Sequence, residues 1–291
     1  MTKSRRRRGG GGSGAPEALT AAVAGGTAEL VPDPERPRAW TLLLDGAPQS
    51  HVDLDDPERL SFAYQRRLGH IADLAAPPGR PVHALHLGGG AFTLARYIAA
   101  RRPRSTQQIA EVDAALVEFV RARLPLDPRD RIRVRAVDAR AALGRIPDAW
   151  ADLVIADVFD GARTPAHLTS TEFLAEVRRV LRPGGWYAAN ITDGGPLVHL
   201  RGQVATAAEV FPELALAADP ALLRGRRFGN AVLLGAAGEL PIAELTRLIA
   251  SDPHPGRVEH GRALAAFTGG APAVTDATAR PSPSPPPGAF D

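Results

Sequence analysis

The chain has 291 residues, of which 44% are hydrophobic and 23% charged, the usage of an ordinary globular protein of one large or two average domains. It has no cysteine, and Lys3 is its only lysine against 34 arginines, which excludes thiolate chemistry, disulfides, cysteine metal clusters, Schiff-base lysines and the P-loop lysine. The net charge of +3 comes from Lys3 and Arg5 to Arg8: the 35 basic residues less these five leave 30 against 32 acidic ones, so no nucleic-acid-binding domain is indicated.

Residues 1 to about 25 are rich in Arg, then Gly and Ala, without apolar periodicity, and predict a disordered basic arm. Nothing apolar follows this basic start as a secretory signal requires, and no run reaches the roughly 18 apolar residues of a membrane span. A cytoplasmic protein without membrane contact is expected. From 26 to 56, the runs TAELV, AWTLLLD and SHVDL with the turn signal Asp45-Gly46 predict a small β module. Asp56 and Pro57 read as N-cap and first helical residue. Leu60, Tyr64, Leu68, Ile71 and Leu74 recur at helical spacing, which predicts a helix over 57–75.

Beyond Pro81 the pattern alternates. HALHLG, QQIAEV, RIRVRAV, ADLVIAD and GWYAANI read as strands, separated by amphipathic segments near 92–101, 114–123, 139–145 and 170–181. This predicts an α/β Rossmann-like domain over 57–250 with a mostly parallel sheet. LALAA and FGNAVLLGA are too close for a crossover helix and read as an antiparallel pair at one sheet edge. Residues 251–291 read as a Pro-rich extension whose end, SPSPPPGAFD, is not expected to pack.

In open α/β sheets ligands bind beyond the carboxyl ends of the strands, where strand order reverses. The first such end carries Gly88, Gly89 and Gly90, whose backbone can approach a ligand closely. Thr93 occupies the sixth position, where a dinucleotide fingerprint needs Gly or Ala. Glu111, 21 residues beyond Gly90, is placed to accept from ribose hydroxyls, and Asp138-Ala139 after the third strand to meet an adenine amino group. Each acid alone is as well explained as a solvated loop residue or helix cap. Three strand ends together favour an adenosine ligand without polyphosphate, and S-adenosylmethionine or a relative over ATP. The fourth strand ends in Asp157-Val158-Phe159-Asp160-Gly161. Two carboxylates three apart can hold and deprotonate an ammonium; Asp160-Gly161 equally fits a turn. His83 and His86 point to opposite faces of one strand and cannot share a metal, and no metal is expected.

Residues 40–235 resemble the spermidine synthase (polyamine aminopropyltransferase) family. LLLDGAPQ resembles its L-x-L-D-G-x-x-Q, HLGGGAFT its G-G-G-D-G-G loop, AEVD its E-[IL]-D, VDA its G-D-[AG] and ADVFDG its D-x-x-D; LTSTEFLAEVRRVLRPGGWYAAN reads like the segment that follows. The resemblance implies a small N-terminal β domain ahead of a methyltransferase-like Rossmann sheet, working as a homodimer. Decarboxylated S-adenosylmethionine is the implied co-substrate and a small amine its acceptor. It further implies that Gln49 and Glu111 face ribose, Asp138 faces adenine, Asp157 activates the amine with Asp160 beside it, and Tyr64 lines the amine pocket.

The departures bear on substrate. Ala91 stands where the family has the loop Asp that anchors the aminopropyl ammonium. The acidic pattern D-E-x-x-Y-x-E around Tyr64 is missing, and LLRGRRFGN replaces a tyrosine-containing segment. Losing anionic anchors and gaining arginines weakens polyamine binding by direct electrostatics. Besides aminopropyl transfer, a methyltransferase using S-adenosylmethionine and a non-catalytic nucleoside-binding protein fit the same residues.

Overall fold

A computed structural model describes residues 18–286. Four antiparallel strands form the N-terminal sheet in sequential order: β1 (Leu19–Val23), β2 (Gly26–Pro32), β3 (Ala39–Leu44) and β4 (Ala47–Asp53). The expected arm is thereby corrected. Leu19 to Val23 pair along β2 in register, Leu19 facing Leu30, and period-two burial of short alternating residues suffices for an edge strand. The remainder of the arm, residues 1–17, lies outside the described residues.

The helix α1 (Ala63–Leu74) starts six residues later than its spacing predicts. Asp53, rather than Asp56, organises this approach: its carboxylate accepts from the backbone N–H of Asp55 and Asp56 and pairs with Arg36 at 2.7 Å. Asp56 and Pro57 are thus held in a turn.

The second sheet has eight strands: β5 (His83–Leu87), β6 (Thr106–Glu111), β7 (Ile132–Ala136), β8 (Ala151–Ala156), β9 (Leu181–Asp193), β10 (Glu213–Ala218), β11 (Gly229–Ala236) and β12 (Arg257–His260). Their order is β12-β10-β11-β9-β8-β5-β6-β7. The five strands from β7 to β9 are parallel and the other three join antiparallel. The predicted mostly parallel α/β sheet is what forms. The antiparallel pair is β10 and β11, with β12 outside them as the edge. That strand and the helix α9 (Gly261–Thr268) that follows it show that the C-terminal stretch packs. Its residue Ser282 is fully buried, accepts from Arg163 Nε and Thr164 N, and donates its own N–H to Thr164 O.

Helices α2 (Thr93–Arg101), α3 (Ala114–Arg123), α4 (Ala139–Leu143), α5 (Thr171–Val180), α6 (Val198–Ala208), α7 (Pro220–Leu223) and α8 (Ile242–Ala250) complete the layers. One apolar core fills the face under α4, α5, α6 and α9 with Leu87, Val154, Phe173 and Leu233, and another fills the face under α1, α2 and α8 with Leu68, Ile98, Ile155 and Leu234. A third, with Leu30, Leu42, Ala91, Phe92 and Val120, joins the small sheet to α2 and α3.

Arg102 ties α2 to the end of α1. Its buried guanidinium donates to the carbonyls of Ala72, Asp73, Ala76, Pro77 and Arg80, satisfying acceptors that the end of a helix leaves open. Arg102→Met should lower unfolding free energy by about 3 kcal/mol or more, because buried carbonyls lose their donors. Urea denaturation checks this.

Candidate active site

The order of the large sheet reverses between β5 and β8: β6 and β7 extend from one, β9 and β11 from the other. A cavity of about 1080 Å³ opens over this point, at the carboxyl ends of the parallel strands. It reaches the upper end of the range for small-molecule sites, room for two reactants side by side.

On the β5–β6–β7 side lie Gly88, Gly89, Gly90, Glu111, Asp138 and Ala139. Gly88 has φ +90°, and a Cβ there would stand 2.0 Å from the carbonyl oxygen of Asp157. Gly90 has φ +48°, and a Cβ would stand 2.6 Å from Ser50 Oγ. Both glycines are therefore required by their backbone conformation and by the neighbouring protein. Glu111 accepts from Gly89 N at 2.8 Å, Gly90 N at 3.4 Å and Asp113 N at 3.1 Å, so its carboxylate shapes the loop while facing the cavity. Asp138 caps α4 through Ala141 N at 3.0 Å and pairs with His167 at 2.8 Å. Burial opposes its charge, but the Ala141 N–H and His167 outweigh that and hold it below the usual carboxylate range. The first residue of α4, Ala139, is buried against the cavity.

Ala91 points away from this space. It is buried in the cluster of Leu30 and Leu42, and its N–H donates to Ser50 Oγ at 3.3 Å.

Asp157 sits between the two halves of the cavity. Its N–H donates to Leu87 O, and its Oδ1 accepts from Asn190 Nδ2 at 2.8 Å; Asn190 Oδ1 in turn accepts from Asn230 Nδ2 at 3.0 Å. Burial pushes the Asp157 carboxyl up to about 6, against the pull of Asn190 and Tyr64, with Glu111 adding a smaller upward push. Asp160 is placed differently. It is exposed at the cavity rim in a turn closed by paired backbone bonds with Arg163, the turn reading its sequence allowed.

The β9–β11 side is walled by α1. The Tyr64 hydroxyl donates to Gln49 O at 3.3 Å and accepts from Gln65 Nε2 at 3.4 Å, and its ring stacks on Phe62. Burial and the nearby Asp157 charge raise its pKa well above the ordinary tyrosine value. Gln49 lines the cavity, and its amide reaches back to Ala47 O at 3.5 Å. Gln65 Oε1 and Thr192 Oγ1 line the cavity as buried atoms without hydrogen-bond partners.

The structure thus brings all ten candidates to one cavity, nine of them on its two sides and between, and Asp160 at the rim. The sequence reading missed Asn190, Asn230, His167, Gln65 and Arg67. Asn190 carried a signal: it is the polar residue that interrupts the apolar run WYAANI.

The comparisons agree with this architecture. The family model for the spermine/spermidine synthase domain matches residues 61–200. A probable spermidine synthase from Corynebacterium glutamicum superposes with a TM-score of 0.83 at 33% identity, covering 89% of this chain and 96% of that one. The chain belongs to the spermidine synthase family. Within that family it is 28% identical over 193 residues to the polyamine aminopropyltransferase of Vibrio vulnificus, covering 65% of this chain and 61% of that relative; the match spans about three fifths of the relative's length. Human methyltransferase-like protein 13, solved with SAH, has a TM-score of 0.52 at 20% identity over 64% of this chain and 89% of its own, which speaks to the methyltransferase-like fold alone.

Asp157→Asn should show what holding this carboxylate costs. Its folded pKa lies above the unfolded value, so the native state keeps the proton longer and loses stability as pH rises from about 4 to about 6. The variant should be more stable than the parent at pH 7 and gain nothing near pH 4, as read by thermal unfolding at both values.

Proposed function

We propose that this protein is an aminopropyltransferase, moving the aminopropyl group of decarboxylated S-adenosylmethionine to a small amine. The observation that carries the reading is the placement of Asp157: a half-buried carboxylate whose pKa desolvation pushes up to about 6, between a glycine-and-acid nucleoside wall and a second wall of unpartnered polar acceptors. Gly88 to Gly90 and Glu111 form a cradle of backbone and carboxylate suited to a ribose, Gln49 borders it, and Asp138 with Ala139 faces the base side. When bound, the sulfonium co-substrate supplies an already activated leaving group.

The protein's work is then orientation and proton removal. An alkylammonium has a pKa near 10, so a base raised toward neutrality accepts its proton better than an ordinary carboxylate does. Asn190, steadied by Asn230, fixes the Asp157 oxygen that does not take the proton. Tyr64, Gln65 and Thr192 offer oxygens to the ammonium as it is turned toward the reacting carbon. Asp160, at the rim, contributes to attracting the amine. The proposal includes a cytoplasmic homodimer, as family membership suggests; light scattering at micromolar concentration should return twice the chain mass, and a monomer would overturn that part.

Two variants test the roles. Asp157→Asn should cut turnover by roughly 10²- to 10⁴-fold with methylthioadenosine affinity little changed, and in the parent the acid limb of kcat/KM should fall below about pH 6. Glu111→Ala should weaken methylthioadenosine binding by about 1–3 kcal/mol, the cost of a lost charged acceptor. Full activity in the first variant, or no transfer to any amine by the parent, removes the aminopropyltransferase reading.

A further inference from the structure

The acceptor end of the cavity contains a buried cation that the reaction above does not use. Arg67, on α1, is 3% exposed and lines the cavity. Of the five N–H donors of its guanidinium, one makes a long bond, Nη1 to Asn230 O at 3.4 Å, and Nε is buried without a partner. The backbone closes in on its other side: a Cβ on Gly256 would stand 3.1 Å from Nε and 3.2 Å from Nη2.

Among the described residues no carboxylate forms an ion pair with Arg67. Asp219 is taken by Arg227 at 3.5 Å and by the Ala221 N–H that it caps; Asp252 pairs through Oδ1 with His70 at 2.9 Å, while its buried Oδ2 has no hydrogen-bond partner. Arg66 donates to Leu60 O and Ser61 O and meets His254 Nδ1 at 3.1 Å. Asp219 and Asp252 favour the Arg67 charge from a distance, Arg66 and Arg227 oppose it, and burial outweighs them all, lowering its pKa. By contrast, the buried Arg102 has five carbonyl partners. A guanidinium this deeply buried, with Nε unpartnered and a single long bond from Nη1, is costly unless an anion completes it, and its planar fork suits a carboxylate.

Arg67 is joined to the reaction centre by consecutive contacts, Arg67 to Asn230, Asn230 to Asn190 and Asn190 to Asp157. Resting on the aminopropyltransferase reading, we propose that the acceptor is an aminocarboxylate, its amine at Asp157 and its carboxylate on Arg67, rather than a diamine. The ammonium of the acceptor gives one proton to Asp157. Its nitrogen lone pair then forms the N–C bond as the C–S bond breaks, and that electron pair stays on sulfur. The products are a neutral thioether and a protonated secondary amine that keeps its carboxylate.

The test is calorimetry on the full chain loaded with 5′-methylthioadenosine, comparing β-alanine, 4-aminobutyrate and 5-aminopentanoate with putrescine and cadaverine. At least one aminocarboxylate should bind tenfold or more tighter than both diamines. Arg67→Gln should erase that preference and Arg67→Lys should restore part of it, with methylthioadenosine affinity unchanged in both. Tighter binding of the diamines by the parent chain overturns the proposal without recourse to any variant, as does a preference that persists in a folded Arg67→Gln protein. Transfer assays with decarboxylated S-adenosylmethionine and all five amines separate the two readings. Transfer favouring diamines sinks the anion site and leaves the aminopropyltransferase intact. Arg67-dependent binding without transfer sinks the aminopropyltransferase and leaves the anion site.

Discussion

The carboxylate of Asp157 is the group for which the rest of the fold makes room. A charge at the carboxyl end of a central strand, under a cavity roof, loses much of its hydration, and that loss is what lifts its pKa. The protein compensates only in part. One amide on β9 reaches it, and a second amide on β11 holds the first. Because β8, β9 and β11 are adjacent in the sheet, this polar line crosses three strands without breaking the apolar layers beneath. The order of strands and the chemistry at their ends are thus one constraint.

Much of this was legible before any coordinates. The alternation of apolar runs beyond Pro81 dictated strands and helices whose centres match the structure, because the central strands β5, β8 and β9 are buried on both faces, the edge strand β7 alternates between half-buried and exposed, and an amphipathic helix such as α5 buries one face. The acids at successive strand ends, Glu111, Asp138 and Asp157, were found because topology alone places them together. Starts of elements were harder. Phe92 adopts a left-handed φ of 62°, so α2 begins after it although its apolar side chain fits the helical stripe. Leu19 to Val23 hid in an Ala-rich segment whose composition looks disordered but whose partner strand supplies what the segment lacks. Contacts that cross the chain left no local trace: the Asn190–Asn230 bond and the burial of Ser282 beside Thr164 depend on residues 40 and 118 positions apart.

The use of arginine is consistent across the chain. With Lys3 as the only lysine, guanidinium groups do structural work that an ammonium does poorly. Arg96 reaches the carbonyls of Leu124 and Pro125 behind α2, and Arg179 joins the carbonyls of Leu143 and Ile146 to Asp148. A planar fork with five donors can satisfy several loop carbonyls at once, where a single ammonium cannot span them. Arg67 stands apart from this pattern in a cavity wall.

Gly88 has a wider consequence. Its missing Cβ lets two loops touch backbone to backbone, the one that follows β5 and the one bearing Asp157. Neither can shift without the other, so the carboxylate of Asp157 and the glycine loop beside Glu111 descend together, as a single inherited part. The wall formed by α1 and β11 meets the cavity through side chains such as Gln65, Arg67 and Asn230. Under the proposed function, divergence toward a new acceptor can repaint that wall and leave the joined loops behind it untouched.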